Sequence, residues 1–136
     1  MKHLAALLAL LASPVAAEGL EDFATGLARG EPGYGYIRCA GFYSAVLQRG
    51  GGVLDAAAEA QITGFATDTL RAAVAEAGRP ATASPTVMDE VIGYQALYDA
   101  VMGVNFEATG RAISGDPVLE ADNRLCRDIA EKAAAQ

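Results

Sequence analysis

The sequence predicts an all-α protein, an up-and-down four-helix bundle with a short extra helix at its N-terminal end. Three observations predict it. Apolar residues recur at three- and four-residue steps through most of the chain. No β-branched or aromatic run alternates with polar residues over a strand's length. Glycine, proline and small polar residues punctuate the periodic stretches at short intervals, so each helix has a start or a stop.

The first, short segment repeats Leu20, Phe23, Ala24 and Leu27 at helical intervals and is closed by Gly30 and Pro32. The second runs from about Tyr34 to Gln48. Ile37, Gly41, Ser44 and Leu47 share one side, with Cys39, Phe42, Tyr43 and Val46 adjoining, and this broad apolar face predicts deep burial. Gly33 and Gly35 relieve the backbone at its start, and the run Arg49 to Gly52 stops it. The third segment, about Val53 to Ala77, carries Leu54, Ala58, Ile62, Phe65, Thr69 and Ala73 and ends at Gly78 and Pro80. The fourth is expected to open at Ser84 as N-cap with Pro85 in the first turn. Val87, Val91, Tyr94, Tyr98 and Val101 form its stripe, which runs to Phe106 or Ala108 before Gly110. The last helix opens at Asp116 as cap and Pro117 as first residue, with Leu119, Leu125, Cys126, Ile129 and Ala130 facing inward.

Short connections favour antiparallel neighbours, which sets the first and last long helices side by side. Cys39 near the start of one and Cys126 beyond the middle of the other then come level, and the sequence predicts a disulfide between them, across 87 positions.

The chain begins MKHLAALLALLASPVAAE. A basic start at Lys2 and His3 leads into the apolar run Leu4 to Ala12, with the small residues Val15 and Ala17 where a signal peptidase reads them. This predicts a signal peptide over 1–17, cleavage after Ala17, a single helical domain over 18–136 and a periplasmic or secreted location. Neither this run nor any later one reaches the roughly 20 apolar residues of a membrane span.

Cleavage removes His3, the only histidine. That excludes Ser-His and Cys-His hydrolases, zinc hydrolases built on histidine and haem held through histidine. With Lys2 gone as well, 9 basic residues face 17 acidic ones, against a net charge of −7 for the whole chain. Such a surface repels phosphate backbones and anionic lipid, so no nucleic-acid partner is expected. No calcium-loop motif appears, and no metal, cofactor or catalytic residue is assigned.

In YIRCAGFY, Arg38 stands beside Cys39 and suggests thiolate activation. Consecutive helical residues point about 100° apart, however, and no C-x-x-C or histidine accompanies the pair. GYGY lacks the further glycine and the preceding strand of a dinucleotide fingerprint and reads as a loop entering a helix.

Tyr34, Tyr36, Phe42 and Tyr43 gather in one helix, and Tyr94, Tyr98 and Phe106 in another. If the two helices face each other, Tyr43, Tyr94 and Tyr98 are the candidate ligand-binding residues; a filled core is the simpler outcome. Asp68, Asp99 and Glu107 are the candidate acids for a glycan-cleaving reaction, which needs two carboxylates at a set separation. Glu107 with Arg111, Arg124 with Asp128 and Arg127 with Glu131 read as surface ion pairs along helices. The leading expectation is a small exported protein, not an enzyme, that binds a protein partner or envelope component. The alternatives are a bundle holding a small apolar or aromatic ligand and a carboxylate enzyme acting on envelope polysaccharide.

Overall fold

A computed structural model describes residues 19–136, so the expected signal peptide and its cleavage site lie outside the described residues. Those residues form five helices and no strand: α1 Phe23–Ala28, α2 Tyr34–Gly50, α3 Ala56–Ala77, α4 Val87–Thr109 and α5 Pro117–Ala134. None is long and apolar enough to cross a membrane.

Local chemistry sets the helix starts. Asp22, Asp55 and Asp116 each turn a carboxylate onto an amide of the first turn, which has no partner within the helix, and Pro117 takes the first position of α5. Because Asp55 is the cap, α3 begins after Val53 and Leu54, which the periodicity had placed inside it. The start of α4 also differs from expectation. Thr86, not Ser84, is its N-cap: the Asp89 amide donates to the Thr86 hydroxyl at 3.1 Å, and the Thr86 amide donates to the Asp89 carboxylate at 3.0 Å. This reciprocal pair leaves Ser84 and Pro85 in the preceding turn. The start of α2 has no side-chain cap and rests on Gly33, whose φ of 80° disfavours any residue with a Cβ.

The long helices alternate in direction. Gly33 at the start of α2 meets Ala73 and Ala77 at the end of α3, so these two are antiparallel. Tyr36 meets Gln136 and Cys39 meets Cys126, so α5 is antiparallel to α2 as well. By contrast, Gly41 meets Val91 and Tyr94 while Arg49 meets Asp99 and Gly103, so α4 runs parallel to α2.

The neighbour relations depart from a square bundle, in which α2 and α4 would lie across a diagonal. Here α2 packs extensively along both α3 and α4 and less so along α5, α3 also packs on α5, and α3 meets α4 only slightly. The result is a three-helix cluster of α2, α3 and α5 with α4 laid on the opposite side of α2. Gly41 permits that approach, since a Cβ there would stand 2.9 Å from the Gln95 amide nitrogen and 3.0 Å from the Val91 carbonyl oxygen. Phe42, Tyr98, Met102, Leu119 and the two half-cystines fill the centre with no exposure above 2%.

Cys39 and Cys126 form the expected disulfide, with Cα atoms 5.2 Å apart and both side chains fully buried. Two outcomes follow. Peptide mapping without reductant recovers Cys39 and Cys126 in one linked fragment, and replacing both with serine lowers unfolding free energy by about 4.5 kcal/mol in denaturant titrations, the loop-closure value for a loop of this size. Gly41→Ala lowers the denaturant midpoint by forcing α4 off α2, whereas alanine at the open Gly64 in α3 leaves it unchanged or raises it.

Candidate functional site

A polar cluster is buried within the apolar core. Arg38 projects from α2 into the core and is wholly shielded from solvent, with four donor contacts satisfied by four different groups. Its Nε donates to the Tyr98 hydroxyl at 2.7 Å, and its Nη1 to the Glu21 carbonyl and the Tyr34 hydroxyl, each at 2.8 Å. Nη2 donates to Oδ2 of Asp122 at 2.8 Å, and Tyr98 donates to the same oxygen at 2.6 Å. The guanidinium carbon lies 4.4 Å from the ring centre of Phe23, close enough for attraction between cation and ring face. One side chain thus joins the segment before α1 with α1, α2, α4 and α5.

Electrostatics hold Arg38 charged and keep the protons on Tyr98 and Tyr34. Burial opposes the Arg38 charge, but Tyr98 and Asp122 more than offset it, and the arginine is held above its ordinary pKa. Burial first, and the Asp122 charge second, push the Tyr98 hydroxyl up, so it stays a proton donor. Tyr34 is raised by burial as well, and its hydroxyl donates to Glu21 at 3.0 Å. At the surface end, hydrogen bonding from Arg29 lowers the Glu21 carboxyl to about 2.

The three tyrosines named from the sequence do not gather in one place. Tyr98 is a member of the Arg38 cluster with 0% exposure. Tyr94 is half-buried beside it, its ring 5.8 Å from the Arg38 guanidinium and in edge contact with Tyr34. Tyr43 points elsewhere and packs against Phe65 of α3 at 5.3 Å. Nor do the candidate acids converge: Asp99 pairs with Arg49 at 2.9 Å, Asp68 pairs with Arg71 at 2.8 Å, and Glu107 is exposed on α4. None of the three expected surface pairs closes among the described residues. Arg111 lies beyond the end of α4 at Thr109, which breaks its register with Glu107.

An apolar opening lies at the end of the bundle where the α2–α3 turn meets the α4–α5 loop. A cleft of about 600 Å³ runs between Val46, Val53, Leu54, Phe106 and Ile113, with Arg49 and Arg111 at its edge. A smaller recess of about 270 Å³ adjoins it through the shared Val46, Leu54 and Ile113, and is walled by Phe42, Tyr43, Phe65 and Arg127. Tyr43 is 4% exposed, and its hydroxyl has no hydrogen-bond partner. Asn105, buried near the end of α4, donates its amide protons to the carbonyls of Arg111, Ala112 and Ser114 at 3.0 to 3.2 Å and holds the loop that forms one wall.

Sequence reasoning weighed Arg38 only as a neighbour of Cys39 and passed over Asp122 and Asn105. Each occupies an inward position of its helix: Asp122 falls between Leu119 and Cys126, and Asn105 follows Tyr98, Val101 and Met102. A polar residue on a core stripe is the signal that would have found them.

Comparison with known proteins returns no match: no family model, curated protein or solved structure is similar to this chain. The class that fold and site define is therefore a disulfide-bonded helical domain with a closed polar centre and an apolar cleft at one end.

Tyr98→Phe leaves the Arg38 Nε without its partner and lowers unfolding free energy by about 1 to 3 kcal/mol, read from the denaturant midpoint. Glu21 adds a pH-dependent contribution outside the Arg38 cluster's own bonds. The folded-state pKa of Glu21 lies below its unfolded value of 4.5, so its contribution is present above pH 4.5 and is lost as pH falls towards 2. Glu21→Gln makes stability less dependent on pH within that window.

Proposed function

We propose that this is a small exported binding protein, held by one disulfide, whose ligand is an apolar molecule seated in the cleft between the α2–α3 turn and the α4–α5 loop. The cleft carries the reading: apolar walls open to the surface, with a volume in the range of small-molecule sites. The tyrosines of the Arg38 cluster, by contrast, are already occupied with one another. Export rests on the leader-like start of the sequence, and the buried disulfide accords with an oxidising compartment. We read the topology as an up-and-down bundle whose second helix has been drawn to the centre.

A second reading, docking of a protein partner or envelope component, is favoured by Val53 and Phe106, which stand 84% and 53% exposed at the mouth of the cleft. Carboxylate chemistry finds less support, because Asp68 and Asp99 are each tied to a separate arginine.

Native mass spectrometry of freshly purified protein from several hosts tests the first reading. The expected result is an added small-molecule mass that is lost on Leu54→Arg. An unladen mass from every host, together with crosslinking that recovers the same partner repeatedly, overturns it in favour of the second.

A further inference from the structure

The charge on the cleft is opposite to that of the chain. The protein carries a net charge of −7, yet the residues lining the cleft and its recess include Arg49, Arg111 and Arg127 and no carboxylate. Arg49 is engaged by Asp99, whereas Arg111 and Arg127 form no ion pair among the described residues. In the recess, Arg127 shares the wall with Tyr43, the buried tyrosine whose hydroxyl lacks a partner. Burial raises the Tyr43 pKa, so the hydroxyl keeps its proton and can donate it in a hydrogen bond. Asp128 and Glu131 also act on this hydroxyl from α5, but neither lines the recess. A buried hydroxyl left unpaired costs free energy, and a ligand acceptor that reaches it, as the recess wall shifts to admit one, would recover that cost.

We infer that the cleft takes a small anionic amphiphile, a molecule with an apolar body and one carboxylate, with the carboxylate in the recess between Tyr43 and Arg127. The apolar body then lies along Val46, Leu54, Ile113 and Phe106 towards the open mouth. Arginine suits this role because its planar donor set matches a carboxylate, and Arg127, exposed on α5, can reach a head group at the edge of the recess. The inference rests on the small-ligand reading above and adds the chemistry of the head group.

Isothermal titration of the purified protein with decanoate, and separately with decanol, tests it. The expected result is saturable decanoate binding about tenfold tighter than that of decanol, the usual effect of one charge-assisted hydrogen bond. Tyr43→Phe and Arg127→Gln each weaken decanoate about fivefold to tenfold and leave decanol unchanged, with thermal melts showing the variants folded. Equal binding of decanoate and decanol overturns the assigned head group while leaving the apolar cleft in place. Loss of binding on Arg111→Gln but not on Arg127→Gln overturns the assigned position. Failure of both probes overturns this inference and counts against the small-ligand reading together.

Discussion

A full positive charge in the centre of a small helical domain is the constraint on which the rest depends. Arg38 has no exposure to solvent, and an unpaired guanidinium in such a place would cost several kcal/mol. The fold meets that demand by bringing acceptors from all sides: the Glu21 carbonyl from before α1, Tyr34 from its own helix, Tyr98 from α4 and Asp122 from α5. Each of these elements has to lie close to α2 for the arginine to be satisfied. This accounts for a second helix at the hub instead of at one corner of a square. Gly41 and the disulfide at Cys39 act within one turn of the same point, one by letting α4 approach and the other by fixing α5.

Polar and apolar surfaces are consequently sorted in an unusual way. Most of the buried hydrogen-bonding capacity is consumed internally around Arg38, while apolar side chains of the α2–α3 turn, the end of α4 and the α4–α5 loop are left open at one end of the bundle. Asn105 connects the two regions, because it sits in α4 one turn beyond the core residues Val101 and Met102 and fastens the loop that walls the cleft. The hub ties α2, α4 and α5 to one side chain, and the cleft is where the proposed ligand would sit.

How much was legible in the sequence varied with the range of the interaction. Helix existence followed from periodicity, and the starts of α2 and α5 from Gly33 and the Asp116–Pro117 pair, because those signals are local. The start of α4 was misplaced, since Ser84–Pro85 and Thr86 with Asp89 offer competing caps two residues apart and only the second forms the reciprocal pair. The cysteine pairing was readable because only two cysteines exist. Arg38 was not readable in the same way: it was judged as a neighbour of Cys39, whereas its partners Tyr98 and Asp122 lie 60 and 84 positions away. The tyrosines suffered likewise, because Tyr43 and Tyr98 face different helices and only the packing of α2 between them decides that. The cleft joins two loops that are distant in sequence, and no periodic pattern announces it.

The central claim is that the Arg38 charge and its partners act as one unit. A double-mutant cycle of Arg38→Met and Asp122→Leu, followed by urea unfolding, tests it most directly. The account predicts that Asp122→Leu alone costs about 3 to 5 kcal/mol, because it strands a buried cation, and that adding Arg38→Met recovers a large part of that loss. Costs that add within about 0.5 kcal/mol would contradict it, because two independent residues behave that way.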